Sequence, residues 1–126
     1  MPNENARLPL VYVLDLKDEP DLIARYRAWH EPGAVPEAVT CAIRDSGVEA
    51  MDIFLCGNRL VILLTPGDGF DAAARSEKDA ANPAVQAWEA TMDSFQQRLP
   101  FAAPDVKWVP MERIYALHEQ IAHLKA

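Results

Sequence analysis

At 126 residues, half of them hydrophobic and a quarter charged, the chain has the size and composition of one ordinary globular domain. Twelve Lys and Arg against nineteen Asp and Glu leave a formal charge of −7, spread along the sequence without a basic block. That excludes a nucleic-acid-binding face, which needs clustered cations to neutralise phosphates.

The first seven residues, Met-Pro-Asn-Glu-Asn-Ala-Arg, are polar, and the apolar run behind them breaks at Asp15. They read as neither a secretory leader nor a membrane span, so a cytoplasmic protein without a membrane partner is expected. Leu10–Leu16 is rich in β-branched and aromatic residues and reads as a first strand. Pro20 suits the first turn of a helix, with Asp18 or Glu19 as its cap and Leu22, Ile23, Tyr26, Trp29 and His30 along one stripe.

Tyr26 and His30 stand one turn apart just before Pro32, so a phenol and an imidazole share a helix face at its terminus. One is a weak acid and hydrogen-bond donor; the other takes or gives a proton near neutral pH. The same spacing also suits two core residues with satisfied polar tips. Functional side chains often occupy such helix ends, where the chain leaves the packed layers, although a broken helix is equally compatible with a mere corner.

Pro32, Gly33 and Pro36 break this helix, and a second follows with Val39 and Ile43 inward and Gly47 as its stop. Val48–Cys56 alternates as a strand, and Arg59–Leu64 is a nearly continuous apolar run. Gly57-Asn58 between them has the chemistry of a two-residue type II′ hairpin turn. Phe70–Lys78 reads as a short Ala-rich helix. Asn82-Pro83 then offers a cap followed by proline at the first position, opening a helix whose inward stripe is Val85, Trp88, Met92, Phe95 and Leu99.

Lys107–Leu117 reads as the last strand, with Pro110 restricting it to an edge or a bulge. Residues 118–126 form a helix-compatible tail. Its His118 and His123 are poorly phased for a metal pair and read as surface residues. Cys41 and Cys56 lie on separate elements, without Cys-x-x-Cys or Cys/His spacing, and read as small buried side chains.

There is no internal repeat or linker, so residues 1–126 read as a single domain with a core over about 8–117. Strand, two helices, hairpin, two helices, strand is an α+β, ferredoxin-like βαββαβ plan: an antiparallel sheet with helices on one face. The other sheet face carries large apolar residues and needs a cover. A second copy of the chain is the simplest one, so a homodimer joined through its sheets is expected.

Several short motifs, in this order and spacing, resemble the L-rhamnose mutarotase family, which includes relatives acting on L-fucose. They are Tyr26-x-x-x-His30, Pro36-Glu37, Gly47-Val48, the tight turn within Leu55–Leu60, Asn82-Pro83-x-Val85-x-x-Trp88 leading to Met92, and Met111-Glu112-Arg113-Ile114-Tyr115. The resemblance runs from about Leu10 to Leu117. It implies a dimeric α/β barrel, two ferredoxin-like protomers with their sheets face to face. It also implies a monosaccharide substrate, catalysis by Tyr26 and His30, and Trp88 at the sugar, with Trp108 a further aromatic wall.

The activity so implied, interconversion of the α and β anomers of a 6-deoxy-L-hexose, needs neither metal nor cofactor. Two positions depart from the family pattern. Val35 stands where many members have Trp before Pro-Glu, and Thr65-Pro66 stands where a glutamate is common. The altered stretch after His30 inclines the reading towards L-fucose over L-rhamnose. Two other classes share this fold or fit the residues: a cofactor-independent oxygenase of the same dimeric barrel type, and a non-catalytic sugar-binding dimer.

Overall fold

The structure, a computed structural model, describes residues 8–124. The polar first seven residues lie outside them. Strand β1 (Leu10–Leu16) leads through helices α1 (Pro20–Trp29) and α2 (Glu37–Asp45) to the hairpin of β2 (Val48–Cys56) and β3 (Arg59–Pro66). Helices α3 (Ala72–Ala80) and α4 (Pro83–Asp93) follow, then the short strands β4 (Gln96–Gln97) and β5 (Val109–Pro110) and helix α5 (Leu117–Ala122).

The sheet runs β2-β3-β1-β4 and is antiparallel throughout, with β5 also on β1. This is the ferredoxin-like strand order, with one modification. The fourth strand is not the continuous Lys107–Leu117 segment expected. Gln96 and Gln97 pair with Leu16 and Asp15, and Val109 and Pro110 pair with Val13 and Tyr12. Two fragments thus share one strand position, and residues 98–108 loop out between them.

Past Pro110, one further bond forms, from the Met111 N–H to the Val11 carbonyl. Glu112 would then stand opposite Leu10, where β1 begins, so no ladder remains for the rest of the segment. The tail beyond turns into α5.

The expected helical stripe to Leu99 is also cut short. Helix α4 ends at Asp93, where a tight turn carries Phe95 N–H to the Met92 carbonyl, and Lys17 N–H then takes the Phe95 carbonyl. Phe95 and Leu99 are still buried, but from outside the helix. Pairing with the end of β1 outweighs the local periodicity there.

Local chemistry accounts for the other boundaries. Asn82 caps α4 by accepting from the Ala84 and Val85 N–H groups, and Asp71 caps α3 in the same way, starting it two residues later than expected. Glu19 sits at the α1 cap position without a side-chain bond, so neither expected capping carboxylate acts as one. Gly57 has φ +60, as a type II′ turn requires, and Asn58 clips that turn to the end of β1 through the Leu16 backbone. Gly47 ends α2 with φ +91, and a Cβ there would lie 3.0 Å from the Phe70 nitrogen. Both the turn and the close approach of the following loop therefore need glycine.

Alternation along the strands sends Leu14, Leu16, Leu60 and Leu64 to the helix side, where they join Tyr26, Met92 and Phe95 in the core. Further along the strand direction from Leu14, Leu16 and Leu60, Tyr12, Met51, Ile53 and Ile62 face the helices across open space instead. Cys41 and Cys56 are free thiols. Cys56 ends β2 beside the turn and is exposed, not buried as expected. His118 and His123 are exposed.

Candidate active site

The open space is a cavity of about 280 Å³ between the inner sheet face and the helices. Its size is at the low end for small-molecule pockets, suiting one sugar ring rather than a chain of them. The floor is apolar: Met51, Ile53, Ile62 and Leu64, with Tyr12. Tyr26 and His30 reach it from the end of α1, Trp88 and Glu89 from α4, and Arg75 and Asp79 from α3. Gln96 and Trp108 enter from the two ends of the 98–108 excursion. Tyr26, His30, Trp88 and Trp108, four residues singled out in the sequence, thus line one cavity.

A second hollow of about 340 Å³ also borders Tyr26, His30 and Ile53, but adds only Arg27, Leu55 and Leu60. The aromatic walls and the other polar groups gather on the first.

The geometry of the pair is specific. His30 is the C-cap residue of α1, and its Nδ1 lies 2.7 Å from the Tyr26 backbone carbonyl. A carbonyl only accepts, so Nδ1 carries the proton and donates it. In the neutral ring Nε2 is then left with its lone pair free, which makes it a base. The two rings lie 4.3 Å apart, and Trp88 meets the imidazole edge-on at 5.5 Å. Trp29, the outer residue of the predicted stripe, packs against Trp88 at 5.9 Å and braces it.

Tyr26 is 3 % exposed. Burial pushes its hydroxyl up from 10.0 to about 12. A hydrogen bond from Gln96 opposes that rise, and the Glu89 carboxylate adds to it. The phenol therefore keeps its proton across the working pH range and acts as a donor. Gln96 Nε2 donates to Tyr26 Oη over a long 3.5 Å, while Gln96 Oε1 is the one buried side-chain oxygen or nitrogen without a partner among the described residues.

Lys107 pins the returning end of the excursion to α4, donating to Glu89 and, at 2.8 Å, to Asp93. Burial lowers its ammonium, but the two carboxylates outweigh that and raise it. Trp108, the next residue, is thereby held on the cavity that Trp88 also lines. No group of three His, Cys, Asp or Glu side chains that could hold a metal ion occurs among the described residues.

Tyr12, Arg75, Asp79, Glu89 and Gln96 were not singled out in the sequence. Arg75 and Asp79 carry a faint signal, being one turn apart on an Ala-rich helix; the others carry none.

Residues 10–117 match the family model described as L-rhamnose mutarotase. The chain belongs to the L-rhamnose mutarotase family. It is therefore a sugar mutarotase, an isomerase, and the oxygenase and non-catalytic readings are not favoured. A relative described as L-fucose mutarotase, from Xanthomonas campestris pv. campestris, is 45% identical over 113 residues, covering 90% of each chain. The crystal structure of an L-rhamnose mutarotase from Formosa agariphila matches with a TM-score of 0.58 at 22% identity, over 86% of this chain and 96% of that one. That match supports the mixed α+β fold with its antiparallel sheet. No helix among the described residues is long and apolar enough to cross a membrane.

Proposed function

We propose that this mutarotase interconverts the α and β anomers of L-fucose, with His30 as the base and Tyr26 as the acid. The observation that carries the roles is the 2.7 Å bond from His30 Nδ1 to the Tyr26 carbonyl, which leaves Nε2 as the free acceptor. Nε2 takes the proton of the anomeric hydroxyl while the Tyr26 hydroxyl gives its proton to the ring oxygen. The bond from C1 to the ring oxygen breaks, and C1 becomes an aldehyde carbon. Rotation about C1–C2 presents its other face. The new hydroxyl then attacks that face, its proton returns to Tyr26, and His30 returns a proton to the anomeric oxygen. A phenol held at about 12 suits this role, since it stays protonated until an alkoxide develops beside it.

Trp88 and Trp108 form the aromatic wall against the apolar face of the sugar. L-Fucose is preferred over L-rhamnose on the strength of the 45% identical relative's description and of the altered stretch after His30. Saturation-transfer NMR between the anomeric protons of L-fucose, L-rhamnose and D-glucose tests the assignment. Fast exchange is expected for L-fucose, and exchange no faster than in buffer for all three would overturn it.

The working unit is a homodimer of single-domain protomers joined through their sheets. The sheet face away from the helices supports this: pairing sets Phe54, Val61, Val13 and Val109 in one row across four strands, with Leu63 and Val11 in the next. Phe54 is 57% exposed, and Ile114, in the tail beyond β5, is 91% exposed. A row of this kind is uncovered hydrophobic surface unless a second copy closes over it. Phe54→Glu should weaken self-association by at least about 100-fold, read by sedimentation. A parent chain that sediments as a monomer at micromolar concentration would exclude the dimer. The enzyme acts in the cytoplasm, as its two free thiols suggest; recovery in an exported fraction would contradict that.

A further inference from the structure

Helix α3 turns an unusual side inward. Of its nine residues only Ala74, Arg75 and Asp79 are drawn in from solvent, while Glu77 and Lys78 are exposed. The inner stripe of this helix is thus a charged pair, and both members line the cavity that holds Tyr26 and His30.

Helix stability does not account for the pair. Arg75 precedes Asp79 by one turn, placing the cation toward the N-terminus and the anion in the last turn. That is the order the helix dipole disfavours. Nor do the two side chains satisfy each other. Arg75 Nε and Asp79 Oδ2 are 3.5 Å apart, and no hydrogen bond joins them to each other or to any other described side chain. Arg59 and Asp15 on the outer sheet face show what a closed pair looks like here, with two parallel bonds of 2.8 and 3.1 Å. The guanidinium of Arg75 therefore keeps its terminal N–H donors, and Asp79 its acceptors, unspent beside the cavity.

The rest of the cavity makes this spare capacity meaningful. A monosaccharide presents a ring of hydroxyls, but the floor of Met51, Ile53, Ile62 and Leu64 offers them nothing. Glu89 is taken up by Lys107 and the Gln96 Nε2 by Tyr26, which leaves Gln96 Oε1 as one further acceptor but no second cation to donate.

Resting on the mutarotase reading above, we propose that Arg75 and Asp79 recognise two adjacent hydroxyls of the sugar, away from the anomeric carbon, and thereby set which sugar the enzyme accepts. Arg75 donates to one hydroxyl oxygen or to both, and Asp79 accepts a hydroxyl proton. The sugar closes the gap that the pair leaves open. The apolar floor is left for the 6-methyl group and the ring's C–H face.

The test uses methyl α-L-fucopyranoside, which has no free anomeric hydroxyl and cannot open, so binding is read apart from catalysis. NMR titration of the full chain should show affinity falling at least tenfold in Arg75→Met and severalfold in Asp79→Asn. The urea midpoint of Asp79→Asn should be unchanged or higher, since it removes an anion from the last turn, where the helix dipole disfavours it, and a cooperative urea transition in Arg75→Met shows that this variant is folded. A 3-deoxy or 4-deoxy analogue of the glycoside should bind the parent more weakly, and lose less on going to Arg75→Met than the intact glycoside does. Affinities within twofold of the parent in Asp79→Asn and in any folded Arg75→Met, or a parent that binds no glycoside, would overturn the proposal. A parent that binds the glycoside in an Arg75-dependent way, yet does not speed anomer exchange of L-fucose, would leave this recognition site standing and remove the catalytic reading. Full exchange activity with Arg75-independent binding would do the reverse.

Discussion

His30→Ala should slow the exchange of L-fucose anomers by about 10² to 10⁴, the usual range for loss of a positioned proton-transfer group. The expectation follows from what surrounds the ring. Its Nδ1 is committed to the Tyr26 carbonyl at 2.7 Å, so the neutral imidazole presents only an unprotonated Nε2. No other base among the cavity-lining residues is placed in this way: the carboxylate of Glu89 is paired with Lys107, and that of Asp79 stands on α3 beside Arg75.

The substitution should leave the fold in place. His30 lies at the end of α1, half-buried and outside the cluster of Leu16, Tyr26, Leu60, Met92 and Phe95 that forms the core. Loss of its ring contacts with Tyr26 and Trp88 should cost no more than about 1–2 kcal/mol of stability. His30→Gln can keep a donor near the same carbonyl but cannot cycle a proton, and should be nearly as slow as His30→Ala. Saturation-transfer rates at matched protein concentration, with a urea melt of each variant, decide the matter. Parent-level exchange in folded His30→Ala would remove His30 from the chemistry.

That pair was legible in the sequence because its information is local. One helical turn separates Tyr26 from His30, and a proline two residues on marks the end of the helix, so spacing alone put both groups at one terminus. The hairpin was legible for the same reason: Gly57 supplies the left-handed conformation in the turn, and alternation on either side sets the faces. The α4 stripe alone reads Trp88 as a core residue; the family resemblance is what set it at the sugar, with Trp108 as a second aromatic, and nothing in the sequence said that residues 98–108 would loop out and return Trp108 to the same cavity.

What could not be read depends on β1. Gln96 and Gln97 are a strand only because Leu16 and Asp15 offer them a ladder, and no property of Phe95-Gln-Gln-Arg98 announces it. Helical periodicity in fact ran on through Phe95 to Leu99, and both are core residues, so the pattern reported burial correctly and secondary structure incorrectly. Gln96 owes its contact with Tyr26 to that pairing, since the side chain of a residue opposite Leu16 reaches the same side of the sheet as the core. In the same way Arg75 and Asp79 look like solvated charges until the sheet places a cavity under α3.

Tyr26→Phe should separate chemistry from stability, and pH should separate them further. Removing one hydroxyl keeps the ring, its place among Leu16, Leu60, Met92 and Phe95, and its contact with His30. The bond lost is a long one, 3.5 Å from Gln96, so at neutral pH the variant should be within about 1 kcal/mol of the parent in stability. Its exchange rate should nevertheless fall by about 10², because the ring oxygen no longer meets a donor.

The alkaline behaviour has a definite sign. In the folded chain the phenol is raised from 10.0 to about 12, chiefly by burial, so the folded state holds this proton more tightly than the unfolded one. The associated stability is fully present below pH 10.0, the unfolded value, and is lost as pH rises from there through about 12. At about 1.4 kcal/mol per unit, the parent should lose about 1.4 kcal/mol by about pH 11 and about 3 kcal/mol at its limit, over and above any loss that Tyr26→Phe shares. The parent's exchange rate should show no alkaline limb from Tyr26 near pH 10, where an ordinary phenol ionises. Urea midpoints of parent and variant between about pH 8 and 11 measure the difference directly. If the two curves stay parallel, the phenol is not held in its protonated form by burial. If the variant also exchanges anomers at the parent rate, the proton for the ring oxygen comes from elsewhere in the cavity.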